Sequence, residues 1–335
     1  MKKFAIFLAL IVGSVSMVFA GCGSGTSKVI RLNEVTHSIF YAPFYAAINL
    51  GYFNDEGIEI DLTNGGGSDQ SMTALLSGNA DMALLGPETA VYVVGEGAKN
   101  TPVIVGQLTK RDGSLLVGRT EEPSFDWSKL AGKEIIGGRR GGSPAMSLQY
   151  AVEKAGNTVG TEPTDCKINL DIAFNLTVGA FESGTGDYCT MFEPTASEFV
   201  ASGRGYIVAS VGEASGNVPF TCFMAMQSYI DKNENKIEGF LKAVTRAYNY
   251  LISATDEQIA DALRPSFSTT SDSIIVSSVR NYILFDAWKS TPVMESEDFS
   301  HLQDVMENAG ELKTRVGFSK VVNNTYAERA VDSLK

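Results

Sequence analysis

From Val29 onward, short β-rich runs alternate with segments of helical spacing. "VIRLNEV" reads as a strand, and Pro43 to Leu50 as a helix that Gly51 stops. "IEIDLT" alternates with period two, "SDQSMTALLSG" makes a helix closed by Gly78, and "MALLG" leads into "PETAVYVVGEG" before the strand "TPVIVGQLT". Strands alternating with helices predict an α/β sheet with crossover connections.

"KRDGSLLVGRTEEPSFDWSKLAGK" interrupts this rhythm with a turn, a strand and a polar, Pro-bearing stretch. A second set then follows: "EIIGG", a helix from Pro144 to Lys154, "KINLDI", "YCTMF", a helix after Pro194, and "YIVASVG". Beyond "GEASGNVPFTC" the chain has a strand-like "FTCFMAM" and is then helical to its end. In this tail Ile237, Phe240, Leu241, Val244, Tyr248 and Leu251 are spaced for one helix face. Such a tail needs a surface to cover, and a return to the first sheet supplies one. The pattern predicts one lobe from residues 29–113 and 213–335 and another from 114–212, with crossings near 112–118 and 212–221.

The region before Val29 has a different character. Met1-Lys2-Lys3 precedes an apolar stretch from Phe4 to Phe19, and Ala20-Gly21-Cys22 follows. That order predicts a signal peptide over residues 1–21, since the stretch is short for a membrane span and ends in small residues. Small residues before a cysteine match the bacterial lipoprotein signal, so Cys22 is the expected acylated first residue and 22–28 a flexible linker. Two acyl chains on one anchor suit stable tethering.

The chain has 335 residues and a formal charge of −12. Without the leader it suits two modest domains, each with its own core. The acidic balance argues against nucleic acid, which needs a basic face. Cys166, Cys189 and Cys222 lie far apart among apolar neighbours, as buried free thiols do. With His37 and His301 as the two histidines and no cysteine cluster, a transition-metal site has little basis.

Candidate chemistry concentrates where strands meet helices. In "THSIFYAPFYAAINLGYF", Pro43 suits the first helical turn, and His37, Ser38 and Tyr41 stand just before it. "NGGGSDQSMTALLSG" puts glycines at a strand end and Ser68-Asp69 at a helix start, where either could cap. "LLGPETA" repeats the plan with Gly86, Pro87 and Glu88. "IIGGRRGGSPAMSLQYAVEKAG" offers Arg139, Arg140, Gly142 and Ser143, the last as apparent N-cap, without the spacing of a phosphate loop or a dinucleotide fingerprint. In "YCTMFEPTASEFV", Glu193 stands between a strand and a Pro-started helix. It can serve the helix dipole or pair with an amine on a ligand. Ligands of open α/β sheets bind at the carboxyl ends of strands, so these junctions from both lobes predict a cleft between them.

Together "HSIFYAPFYAAINLGYFNDEGIEIDL", "GGGSDQSMTALLSGNADMALLGPE", "QLTKRDGSLLVGR", "GGRRGGSPAMSLQYAVEKAG" and "FEPTASEFVASGRGYIVASVGEASGNVPFT" resemble solute-binding proteins of ABC importers. The branch resembled handles nitrate, taurine, aliphatic sulfonates and pyrimidine precursors of thiamine, and the likeness spans Val29 to Val322. It implies the α/β, two-lobed periplasmic-binding-protein type II fold, with ligand in a cleft between lobes joined by two crossings. It also implies a lining of His37, Ser38, Tyr41, Ser68, Asp69, Gly86, Pro87, Glu88, Arg139, Gly142, Ser143, Glu193 and Phe220. The pair "GGRRGGSP" and "FEPTAS" looks closer to the pyrimidine-precursor side, with sulfonate, taurine or nitrate as the alternative.

The partners implied are a small-molecule ligand, an ABC permease with its ATPase, and the membrane through the anchor, for a monomer without cofactor. Eukaryotic thiamine-pyrimidine synthases look similar. They depend on a cysteine-rich motif and a lysine-held pyridoxal phosphate that this sequence does not show, so binding without catalysis is expected. A sensory lipoprotein that does not transport is a further reading.

Overall fold

The computed structural model describes residues 28–172 and 176–335. The expected leader, the lipidation site Cys22 and nearly all of the linker lie outside the described residues.

The elements run β1 (Val29–Glu34), α1 (Ala42–Asn49), α2 (Tyr52–Asp55), β2 (Glu59–Asn64), α3 (Ser68–Leu76), β3 (Met82–Leu85), α4 (Glu88–Gly95), β4 (Pro102–Thr109) and β5 (Leu115–Gly118). Next come β6 (Glu134–Ile136), α5 (Ser143–Lys154), β7 (Lys167–Asn169), α6 (Thr177–Glu182), β8 (Tyr188–Met191), α7 (Thr195–Ala201), β9 (Tyr206–Ser210) and α8 (Val211–Ser215). After β10 (Thr221–Met226) the tail holds α9 (Gln227–Ile230), α10 (Glu234–Ser253), α11 (Asp256–Leu263), α12 (Asp272–Leu284), α13 (Ser296–Asn308) and α14 (Thr325–Asp332).

Two five-stranded sheets result, ordered β2-β1-β3-β10-β4 and β7-β6-β8-β5-β9. In the first, β1 is parallel to β2 and β3, while β10 returns antiparallel between β3 and β4. In the second, β6 is parallel to β7 and β8, and β5 is antiparallel to β8 and β9. This is a mixed α/β architecture in which a late strand completes the first sheet after the second has been built.

Burial explains the placement. β10, "TCFMAM", is buried throughout because both faces of the first sheet are covered. Phe223 and Ala225 pack on one side with Phe44, Phe53 and Phe240. Cys222, Met224 and Met226 pack on the other with Phe299, Leu302 and Met306. The amphipathic face of α10 thus lies against α1 and the sheet, with the Phe53 and Phe240 rings stacked at 5.0 Å. In the second sheet, Leu115 and Val117 face Phe181 and Phe199, while Leu116 faces Leu148 and Val152.

The chain leaves the first sheet after Thr109 and enters the second at Leu115, then leaves after Ser210 and rejoins the first at Thr221. The expected first crossing, 112–118, therefore extends too far. Leu115–Gly118 is a fully buried strand between β8 and β9, as a continuous apolar run between two partners should be. The run "YIVASVG" also stops early, since the Ser210 hydroxyl accepts from Glu213 N and starts α8.

Candidate functional site

The carboxyl ends of β1, β2 and β3 meet those of β6 and β8, and polar contacts join the two sets. Ser38 Oγ donates to the Glu193 carbonyl at 2.7 Å. Ser143 Oγ donates to Glu88 Oε2 at 2.6 Å, and Tyr92 Oη to the Gly141 carbonyl at 3.1 Å. At the rim Arg139 and Asp69 form an ion pair of 3.5 Å with both side chains exposed. Ser38, Asp69, Glu88, Arg139, Ser143 and Glu193 are thereby brought to one boundary.

The local roles differ from the expected ones. Ser143 is the first residue of α5 and Gly142 takes the N-cap position, so the Ser143 hydroxyl is free to cross to Glu88. Likewise Gly67, not Ser68 or Asp69, precedes α3, and no side chain caps that helix. Pro87 is the N-cap of α4. A Cβ on Gly86 would lie 2.1 Å from Glu88 Oε2, so a side chain there would displace the Glu88 carboxylate. The Glu88 carboxylate folds back over Gly86 in the space a side chain would fill.

Glu193 is the most heavily bonded group of the boundary. Its N–H donates to Tyr282 Oη at 2.9 Å. Its carboxylate accepts from Ser197 N and Ser197 Oγ, both at 2.9 Å, and from Asn281 Nδ2 at 2.6 Å. Of the two roles open to Glu193, this conformation shows the helix-end one, extended by a link to α12. Tyr282 and Asn281 are not legible as partners in sequence, because nothing local connects α12 to β8.

Aromatic rings gather beside it. Phe40 lies 5.7 Å from Phe192, 5.8 Å from Phe220 and 5.0 Å from Tyr282, between ring centroids. Tyr41 is buried, its hydroxyl bonded to Thr221, and burial pushes its phenol well up. Phe220, expected in the lining, packs in this cluster. Phe192, which sequence reading did not single out, stands at a strand end directly before Glu193 and packs with Phe40 and Phe220.

His37 bridges Glu34 and the loop after α11. Its Nδ1 meets Glu34 Oε1 at 3.0 Å and its Nε2 meets the Ser266 carbonyl at 2.9 Å. The imidazolium form, with hydrogen on both ring nitrogens, satisfies both acceptors. The Glu34 hydrogen bond raises its pKa accordingly. Glu34 also accepts from Tyr45 Oη, and the His37 ring lies 4.7 Å from Phe267. His37 thus fastens the end of β1 to the loop after α11, a tertiary pairing across 229 positions.

The charge of the boundary is one-sided. Glu88, Asp112 and Glu193 are buried to 2 % exposure or less. Their hydrogen bonds come from the neutral groups of Ser143, Ser114, Ser197, Ser278 and Asn281, and none makes an ion pair among the described residues. Burial raises the pKa of Glu88 and of Asp112. The Arg139 and Arg140 side chains remain 53 % and 72 % exposed, and Arg140 stands 3.9 Å from Asp171. Asp112 was read only as part of a turn. Among the described residues there is no group of three or more His, Cys, Asp and Glu able to hold a metal ion.

Two sheets with facing strand ends, linked by two crossings, define the fold of the extracytoplasmic solute-binding proteins that serve ABC importers. Solved structures agree. An alkanesulfonate-binding protein SsuA from Xanthomonas axonopodis bound to MOPS matches with TM-score 0.68 at 16 % identity, over 89 % of this chain and 99 % of that one. The nitrate-binding protein NrtA from Synechocystis matches with TM-score 0.68 at 15 % identity, over 92 % and 90 %.

The chain belongs to the NMT1/THI5-like family, whose model matches residues 39–258. A Bacillus subtilis relative named as a binding protein, YtlA, is 39 % identical over 95 % of both chains. A 4-amino-5-hydroxymethyl-2-methylpyrimidine phosphate synthase of Aspergillus parasiticus is 22 % identical over 73 % of both.

Proposed function

We propose that this protein is an extracytoplasmic solute-binding lipoprotein, anchored through Cys22. It captures a small amino-bearing heteroaromatic, of the thiamine-related pyrimidine class, and hands it to an ABC permease driven by its ATPase. The observation that carries the ligand class is the pair of buried carboxyl groups at the boundary, Glu88 and Glu193, with no paired cation among the described residues. Uncompensated buried charge is costly, and N–H donors or a cationic ring on the ligand relieve it. The Phe40, Phe192 and Phe220 rings supply apolar faces for a flat ring. Glu193 takes the amino edge in exchange for the Asn281 amide, one N–H replacing another. The 39 % identical relative is named for binding, which supports capture without catalysis.

The second reading is a sulfonate, taurine or nitrate, favoured by the ligands named for the structural neighbours and by Arg139 and Arg140. Against it stand the exposure of both guanidinium groups and the buried negative charge. Calorimetric titration with 4-aminopyrimidines, taurine, an alkanesulfonate and nitrate decides between them. Heat of binding from aminopyrimidines is expected; stabilisation by the anions alone overturns the pyrimidine assignment.

A further inference from the structure

The two crossings meet at Asp112. Its Oδ1 accepts from Ser114 N at 2.6 Å in the first crossing, and Val211 N of the second crossing donates to the Ser114 carbonyl at 3.1 Å. The Asp112 carbonyl lies so close to Gly212 that a Cβ on that glycine would stand 2.2 Å from it. The next residue, Gly113, lies against the Phe40 ring, where a Cβ would approach to 2.3 Å. Asp112 is therefore enclosed by α8 from one lobe and by the Phe40 turn from the other. Its Oδ2 is buried and has no hydrogen-bond partner among the described residues.

We infer that Asp112 couples lobe closure to proton uptake: closing buries its carboxylate without a donor for Oδ2, so the closed form holds the protonated acid and the open form the solvated carboxylate. The groups around it do not supply the missing charge. Tyr282 of α12 is within electrostatic range and contributes a neutral phenol, itself tied to Glu193 N. The Arg111 guanidinium in the same crossing is turned to the Phe285 carbonyl, Asn217 and Asp286. Lys110 pairs with Asp286, and Glu213 on α8 is exposed. Glu193 is held by Ser197 and Asn281.

Burial pushes the Asp112 carboxyl up to about 7 in this structure, taken as the closed form, against about 3.9 for a solvated aspartate. The acid is protonated in both forms below the lower value, so closure there carries no charge penalty. As pH rises between the two values the open form ionises first, and the penalty on closure grows. The closed-to-open ratio then falls by up to about tenfold per pH unit and levels off above about pH 7.

Small-angle scattering of the ligand-free protein between about pH 5 and about pH 8 tests this without reference to any ligand. The radius of gyration should fall in acid, and the trend should vanish in Asp112→Asn, which keeps the acceptor for Ser114 N. Glu88→Gln is the needed comparison, because Glu88 is also buried across the lobes and raised. A trend retained in Glu88→Gln and lost in Asp112→Asn supports the hinge. A radius independent of pH, a slope unchanged in Asp112→Asn, or a slope abolished by Glu88→Gln overturns it. Should Asp112→Asn fail to fold, the wild-type and Glu88→Gln curves still decide.

Discussion

Ser38 Oγ donates to the Glu193 carbonyl at 2.7 Å, across the boundary between two sheets that share no strand. The same Ser38 hydroxyl accepts from Phe40 N and so sets the turn that carries Phe40 and Tyr41. One small side chain thus joins the first helix entry of one lobe to the β8 end of the other.

Glu193→Gln separates the two roles of that residue. With a ligand carrying an amino edge, loss of the charged acceptor should weaken binding by at least about tenfold, as removal of a charge-assisted hydrogen bond does. Calorimetry reads the change. Unchanged affinity, with only a lower unfolding midpoint, would leave Glu193 as the group that satisfies the start of α7.

Ser143→Ala removes the hydroxyl that supports the buried Glu88 carboxyl. A buried acceptor left without its donor costs about 1–3 kcal/mol. Denaturant unfolding should show a loss of that order, together with looser closure in scattering. No loss would mean that another donor replaces Ser143.

His37→Gln addresses the Glu34 pair. The His37 pKa is raised in the folded protein, so its contribution is fully present below its unfolded value near 6.5. That contribution is lost as pH rises through the folded value. Thermal melts should therefore show a wild-type advantage in acid that disappears in alkali. Because the His37 ring is 40 % exposed, screening keeps the advantage small. A constant difference across pH would make the ring a packing element beside Tyr45 and Phe267.

Cys22→Ala tests the anchor independently of the fold. The variant should leave the membrane fraction of the producing bacterium while the wild type stays in it. Retention of the variant would exclude acylation at Cys22 as the tether.

The architecture was legible because local pattern and global fold agree. The period-two "IEIDLT" became the edge strand β2, whose faces differ in exposure, and the continuous "TCFMAM" became the interior strand β10. Pro43 sits in the first turn of α1, and the spaced apolar face of α10 is buried. Each of these depends on neighbours within a few residues, which sequence displays directly.

The partners of the site residues depend on which segments closure brings together. Ser143, a cap by its local pattern, instead meets Glu88, 55 positions away, and Glu193 meets Asn281, 88 positions away. By itself the sequence determined two sheets, the returning tail and the junctions where polar residues collect. The tertiary structure alone decided which carboxylates are buried without a cation, because burial and hydrogen-bond partnership arise only when surfaces from distant segments exclude water.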